Sequence, residues 1–223
     1  MKTLRFLVCC SLLVAAPAAA QTNPPISEKY DVTTRDVKLH DSLPIFCDSP
    51  TVAAANTINA ANANIRLTNT GNIFGPEWIN DNYREDQYIN IVPATMADGY
   101  GASATTATTI RYSEDPYWAW ETYGQIVDSN IYVNHDLLYY GSETDTQQTY
   151  DLFCSESFQG SIGQKADYQS VMLHEMGHSL GLRHRTDGTT GPCVMAEYLA
   201  RGTFKRAFCA DETAKLREVY GTR

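Results

Sequence analysis

The chain has 223 residues, 43% of them hydrophobic, and its 26 Asp and Glu against 17 Lys and Arg give a net charge of −9. This length fits one domain with a sizeable core and leaves too little chain for two comfortable ones. The acidic balance argues against a nucleic-acid partner, because phosphate binding needs a basic surface, and we read it as a source of solubility.

The first twenty residues have the pattern of a secretory signal peptide. Lys2 and Arg5 precede an apolar run over 6–16, and Ala18 to Ala20 offer a small-residue cleavage site. The run is too short for a membrane anchor, and no later stretch reaches the roughly 18 apolar residues that a span needs. We therefore expect an exported protein, secreted or periplasmic. Its mature form keeps 15 basic and 26 acidic residues, a net charge of −11.

Next along the chain comes a polar, proline-containing stretch. Residues 21–36 predict a flexible N-terminal segment in which a short activation peptide could lie. A single folded domain is expected over 37–223. It begins with a strand over 37–46 and an alanine-rich helix over 50–65, with Ser49 as the helix cap.

Further strands are expected to share one sheet, over 66–68, 87–92, 105–110 and 126–133. The run over 105–110 is β-branched within a Gly-, Ala- and Thr-rich region, which favours an exposed edge strand. Asp128 and Asn130 predict a turn or bulge before Ile131. We read His135 as a surface or capping residue.

Four cysteines follow the signal segment, namely Cys47, Cys154, Cys193 and Cys209. An even number in an oxidising compartment predicts two disulfides. Of the three possible connectivities we favour Cys193 with Cys209 and Cys47 with Cys154, because the first pair closes a short loop that would brace the turn around Met195. Cysteines as metal ligands are disfavoured because the chain has no CxxC spacing.

The segment HEMGHSLGLRH, residues 174–184, is the most informative motif. Asp167 predicts the N-cap of a helix that runs to about Leu180. On that helix His174 and His178 lie one turn apart on one face, so both can bind one metal ion. Such a pair also occurs as packed or surface histidines. The motif here is longer, and it holds three of the chain's five histidines.

Gly181 and His184 complete the motif. Gly181 can adopt the left-handed conformation that ends a helix, and the turn brings His184 back toward the metal. Three neutral imidazoles leave a fourth position for water, which is the arrangement of catalytic zinc sites. Glu175, beside the ligand stripe, is the candidate general base.

The pattern HExxHxxGxxH resembles the zinc signature of the metzincin metallopeptidases, which also carry a methionine-containing turn. Met195, in GPCVMAEY, matches that turn, and the resemblance implies that it underlies the zinc site without binding metal; the alternative is an ordinary core methionine. Tyr198 is a candidate contact for the metal or the reaction oxyanion, or else a packed tyrosine. Arg185 is not among the usual residues after the third histidine, so the resemblance stays loosely matrixin-like or snapalysin-like.

The resemblance implies an α+β, α/β-like fold of the metzincin type. It has a twisted, mixed, mostly parallel sheet with backing helices, an active-site helix and a small C-terminal subdomain after Gly181. Residues 37–223 would then be the catalytic domain, and the edge strand over 105–110 part of the substrate cleft, although a purely structural strand fits equally well. A last helix over 211–220, which ends at Gly221, would serve packing.

The expected function is that of a secreted zinc-dependent endopeptidase that hydrolyses peptide bonds with a zinc-activated water. It would use one Zn²⁺ ion, act on polypeptides and be a monomer; a structural Ca²⁺ ion is compatible with the acidic charge but has no motif. Two alternatives stay open. One is a noncatalytic binding protein on this scaffold, against which the intact Glu175 argues. The other is a zinc hydrolase that acts on cell-wall peptide cross-links.

Overall fold

The computed structural model describes residues 28–73, 88–94, 104–111, 124–138, 152–155, 160–185 and 193–223. The larger sheet contains β1 Glu28–Lys29, β2 Thr34–His40, β3 Arg66–Ile73, β4 Tyr88–Ala94, β5 Ala104–Arg111 and β6 Gly124–Asn134. A smaller sheet pairs β7 Leu152–Phe153 with β8 Ala166–Asp167. The α-helices are α1 Asp48–Ala60, α2 Tyr168–Ser179 and α3 Ala210–Tyr220. The predicted signal peptide, residues 1–20, lies outside the described ranges.

The larger sheet is mixed and mostly parallel. Its parallel strands follow the order β1-β6-β4-β2-β3, and β5 runs antiparallel to β6. Within the described residues β5 has a strand partner on one side only, so it forms an edge of the sheet. The α+β fold class, the shared sheet and the edge strand expected from the β-branched run are therefore confirmed.

A continuous hydrophobic core lies between the sheet and the helices α1 and α2. Ile58 of α1 and Met172 of α2 are fully buried, as are Ile89 and Ile91 of β4. The whole stretch from Ile89 to Pro93 is buried, which explains why β4 alternates only imperfectly in sequence: an interior parallel strand is covered on both faces. The helix α2 is buried along almost its entire length.

The prediction of a flexible segment over 21–36 is wrong for its last part. Glu28 and Lys29 pair with β6, and β2 begins at Thr34. Two contacts hold this part: the Arg183 guanidinium donates to Glu28 at 2.9 Å, and the Tyr30 amide donates to the Tyr220 hydroxyl at 3.2 Å. Both partners lie far along the chain, so local composition could not reveal them.

Two predicted boundaries near the first helix are also wrong. The strand expected over 37–46 ends at His40 and is followed by a short 3₁₀ helix, Ile45–Cys47. The helix expected over 50–65 begins at Asp48 and has Cys47, not Ser49, at the N-cap. Pro50 fits the first turn because no backbone N–H is needed there.

β6 makes no turn at Asp128 and Asn130 and is continuous. Its pairing with β5 shifts register between Ile126 and Asp128, so an irregularity of the predicted bulge type lies directly before Asp128. Asn130 donates to Asp128 at 2.8 Å and accepts from Asn90 at 2.9 Å, so these three buried side chains form a chain of hydrogen bonds inside the sheet. His135 is half-exposed and begins a short 3₁₀ helix, in line with its surface reading.

Both disulfides have the favoured connectivity. Cys47–Cys154 ties the start of α1 to the residue after β7, and Cys193–Cys209 ties the turn near Met195 to the start of α3. The predicted last helix is confirmed, and it ends where Gly221 adopts a φ of 79°. Among the described helices, none combines the length and apolarity needed to cross a membrane.

Candidate active site

The helix α2 is fixed at its N-terminus by Asp167, as the sequence predicts. The Asp167 carboxylate accepts a bond of 3.0 Å from the Ser170 amide. The Arg206 guanidinium donates to both oxygens of Asp167, at 2.9 and 2.6 Å, and also to the Ser155 carbonyl at 2.7 Å. In this bidentate ion pair Asp167 is fully buried and Arg206 is partly buried, and the pair anchors the helix that carries the motif.

The three histidines of the motif converge. The Nε2 atom of His174 lies 3.0 Å from that of His178 and 3.2 Å from that of His184. Because Leu180 follows the last helical residue and Gly181 has a φ of 87°, the chain reverses there and returns His184 to the helix. The amides of the turn complete a Schellman motif, with Gly181 bonded to the His178 carbonyl at 2.8 Å.

Backbone carbonyls set the tautomers of two of these rings. The Nδ1 atom of His174 lies 2.7 Å from the Val194 carbonyl, and that of His178 lies 2.6 Å from the Leu182 carbonyl. A carbonyl only accepts, so Nδ1 carries the proton and Nε2 presents a lone pair to the centre of the cluster. Burial, together with the neighbouring imidazoles, lowers the pKa of His174 to about 3. Burial likewise lowers the pKa of His178 to about 4.

This arrangement fits a zinc ion. Zinc–nitrogen bonds of about 2.0–2.1 Å in a tetrahedral site place the ligand nitrogens roughly 3.3 Å apart. The distances of 3.0 and 3.2 Å are close to this value, and the lone pairs that His174 and His178 direct at each other repel unless a cation lies between them. Cys193, Cys209 and Asp211 also lie close together, but that pair of cysteines is a disulfide and offers no thiolate.

Glu175 is buried between α2 and the edge strand β5. Its Oε2 atom accepts a hydrogen bond of 2.6 Å from the Thr106 hydroxyl. Burial raises the pKa of Glu175 to about 7, and the bond from Thr106 partly opposes this. A carboxyl group with a pKa near neutrality, next to a metal-ligand set, has the properties of a general base. Sequence reasoning missed Thr106, since no motif joins it to Glu175.

Met195 lies directly beneath the helix. It is fully buried, and a Cβ atom placed on Gly177 would be 2.5 Å from the Met195 sulfur. The absence of a side chain at Gly177 therefore lets the methionine pack against the helix between the two helical histidines. The role that the resemblance implies for Met195, to underlie a zinc site without binding the metal, stays a prediction.

The turn over 193–196, here called the Met-turn, is held from several sides. Its Val194 carbonyl orients His174, and the Met195 amide donates to Glu212 Oε1 at 2.8 Å. The Met195 carbonyl accepts from the Arg185 amide at 3.0 Å. Glu212 is buried, which raises its pKa, and its other oxygen accepts from the Cys209 amide. Glu212 thus joins the Met-turn to the start of α3.

The structure explains the unusual Arg185. Its guanidinium makes a short ion pair with Asp211, and the Glu212 carboxylate lies 4.0 Å away. The residue that follows the third histidine is therefore tied to α3 through its side chain and to the Met-turn through its backbone. Neither Glu212 nor Arg185 was identified from sequence as part of the site, because their partners come from different segments.

Tyr198 does not pack in the core. Its side chain is 67% exposed, so the reading of Tyr198 as a packed tyrosine is wrong. The ring projects into solvent three residues after Met195. A contact from Tyr198 to a metal ion or to the reaction oxyanion stays a prediction.

The mixed sheet, the histidine-bearing helix and the Met-turn are those of a metzincin-like peptidase. The family model described as matrixin matches residues 57–221. Since the match spans about three quarters of the chain, this protein belongs to the matrixin family of peptidases.

A solved structure, described as the structure of myroilysin, is also similar to the chain. The two share 12% identity with a TM-score of 0.43, and the similarity covers 87% of this chain and 82% of that one. No curated protein matches the chain.

Proposed function

We propose that this protein is a secreted zinc-dependent endopeptidase in which His174, His178 and His184 hold one zinc ion. The observation that carries the proposal is the convergence of the Nε2 atoms of the three histidines. In His174 and His178 the Nδ1 atom is hydrogen-bonded to a backbone carbonyl, so Nε2 is free to bind a metal ion. Membership of the matrixin family supports the assignment to the metallopeptidases.

A bound zinc ion supplies Lewis acidity that polarises a substrate carbonyl and lowers the pKa of water to about 7. The chain's own residues do the rest. Glu175 removes the proton of the attacking water and passes it to the leaving amine, so the carboxylate acts first as a base and then as an acid. Met195 packs beneath the proposed ligands, and Glu212 fixes its position by accepting a hydrogen bond from the Met195 amide.

The edge strand β5 is the proposed docking site for the substrate. One side of β5 pairs with β6, and the opposite side has no strand partner among the described residues. An extended polypeptide could add there as a further strand through its main-chain groups. Because Thr106 of β5 contacts Glu175, a peptide on this edge would lie next to the proposed base.

The export of the protein belongs to the same proposal. We assign residues 1–20 to a cleaved signal peptide. The folded domain that follows is assigned to a monomeric catalytic domain. The two disulfides support an oxidising compartment, since such bonds are rare in cytosolic proteins. The catalytic domain includes residues 28–36 as well as 37–223, because β1 and β2 belong to the sheet.

The test is cleavage of a diverse peptide library by the purified mature protein, with and without a chelator. We expect cleavage that the chelator abolishes and that added zinc restores. Stoichiometric zinc without cleavage of any peptide would favour a noncatalytic binding protein. Release of fragments from cell-wall cross-links, with the peptide library left intact, would favour the other alternative. Either result would overturn the proposed endopeptidase.

A further inference from the structure

The hydroxyl of Thr106 bridges the sheet edge and the zinc-binding helix. Its Oγ1 atom lies 2.6 Å from Oε2 of Glu175 and 3.1 Å from the Glu175 carbonyl oxygen. A hydroxyl group has one proton to donate, and bonds to a charged acceptor are shorter and stronger than bonds to a neutral one. The bond to Oε2 is therefore the main interaction.

Among the described residues, Thr106 supplies the side-chain contact that orients this carboxylate. Within the described part of the chain, no other side chain donates a hydrogen bond to the Glu175 carboxylate. The last torsion of a glutamate side chain is broad, so without a partner the plane of its carboxylate is poorly defined. The position of the hydroxyl is itself well defined, because Thr106 pairs with Ile131 in the middle of the β5–β6 ladder.

We propose that Thr106 is a positioning residue for the general base. Its hydroxyl occupies Oε2 of Glu175 and leaves Oε1 to accept the proton of the attacking water. This inference rests on the proposed function and adds a residue to it. It also links binding to catalysis, because the strand that would hold the peptide backbone is the strand that orients the base.

Two substitutions separate the hydroxyl from the rest of the side chain. Thr106→Val keeps the shape and loses the hydroxyl, whereas Thr106→Ser keeps the hydroxyl. We expect Thr106→Val to lower kcat by about 10- to 100-fold, the range in which a misplaced catalytic group costs rate. KM should change by less than about threefold because substrate contacts are intact, and Thr106→Ser should stay within about threefold of wild type in kcat. Thr106→Ala serves in the same way if the valine variant folds poorly.

Thr51→Val is the matched control. Thr51 is fully buried, whereas Thr106 is half-buried, and the Thr51 hydroxyl donates to the Cys47 carbonyl at 2.8 Å and lies 3.2 Å from the Tyr168 hydroxyl. Its loss should lower stability at least as much as the loss at Thr106 but leave kcat unchanged. A fall in kcat for both variants would show that any lost buried hydroxyl slows the enzyme, and it would overturn the proposal.

A second readout does not depend on activity. Crystal structures of the zinc-free wild type and of Thr106→Val should show one orientation of the Glu175 carboxylate in the wild type and several in the variant. An unchanged single orientation in the variant, or wild-type kcat, would contradict the proposal. If the wild-type protein shows no chelator-sensitive cleavage, the proposed function fails, and these structures still decide whether Thr106 orients Glu175.

Discussion

The two helical histidines take their chemical form from partners outside the motif. The carbonyl groups of Val194 and Leu182 accept from Nδ1, so both rings present Nε2 to the metal position. The spacing of the motif predicts the proposed ligands because a helix places residues four apart on one face. It does not identify Val194, whose carbonyl comes from the Met-turn twenty residues further along the chain.

Glu175→Gln tests the base directly. The glutamine keeps the size of the side chain and an oxygen that can accept from Thr106, but it cannot take a proton at neutral pH. We expect kcat to fall by about 10²- to 10⁴-fold with one zinc ion still bound per chain. Steady-state kinetics and elemental analysis of the same preparation measure both effects. Wild-type turnover in this variant would exclude Glu175 as the base.

Gly177→Ala tests the close approach of Met195. Alanine is the better helix former by about 1 kcal/mol, but its Cβ atom would lie 2.5 Å from a fully buried sulfur. Overpacking typically costs about 1–3 kcal/mol, so we expect a net loss of stability on denaturant unfolding.

The double variant Gly177→Ala/Met195→Ala is the control for that clash. Removing the sulfur should make the alanine at 177 less harmful than it is next to Met195, which appears as a coupling energy in a double-mutant cycle. Additive effects of the two substitutions on the free energy of unfolding would show that a clash with Met195 is not the reason why Gly177→Ala lowers stability.

At the scale of the elements, α2 depends on the ion pair at its first turn. Asp167→Ala would remove the cap of the helix and leave the partly buried Arg206 guanidinium without its bidentate partner. Loss of one partner of a buried ion pair costs about 3–5 kcal/mol, and we count the loss of the helix cap, about 1 kcal/mol, within this range. We expect a loss of free energy of unfolding near the lower end of that range, about 3 kcal/mol, because Arg206 can partly reach solvent.

Glu218→Ala is the matched control for that prediction. Glu218 accepts from Lys215 at 2.7 Å, and its carboxylate is 58% exposed, unlike that of Asp167, which is fully buried. Because solvent screens the Glu218 carboxylate, we expect its loss to cost about 1 kcal/mol or less. Chemical denaturation of both variants under the same conditions compares the two ion pairs. Equal losses of stability would show that the pair at Asp167 is no better than a surface contact.

The elements differ in how far sequence alone could predict them. The helix α2, the edge strand β5 and the helix α3 were predicted because each carries a local signal: a cap, a β-branched run, or a terminal glycine. The two-residue strand β1 carries none, because its pairing with β6 joins residues almost a hundred positions apart. Thr106 and Glu212 were missed for the same reason, since each acts on a residue of another element.

At the scale of the molecule, the two disulfides have different expected effects. Cys47–Cys154 closes a loop with a sequence separation of 107, and Cys193–Cys209 one of 16. In the loop-entropy description such loops correspond to about 4.7 and about 3 kcal/mol, so replacement of Cys47 and Cys154 by serine should lower stability more.

The short disulfide should matter more for metal binding. Cys193 precedes Val194, whose carbonyl orients His174, and loss of such a supporting contact weakens metal affinity by about 10- to 100-fold. Competition with a zinc chelator compares the Cys193→Ser/Cys209→Ser variant with the variant that lacks the long disulfide. The prediction is contradicted if the two variants bind zinc equally well.

Three imidazoles from α2 and the turn after it are proposed to bind one zinc ion. Elemental analysis of the folded protein after equilibrium dialysis against zinc measures this most directly. We predict one zinc ion per chain in the wild type and none in the variant with alanine at 174, 178 and 184. A folded wild-type protein without stoichiometric zinc, or a triple variant that retains it, would contradict the account.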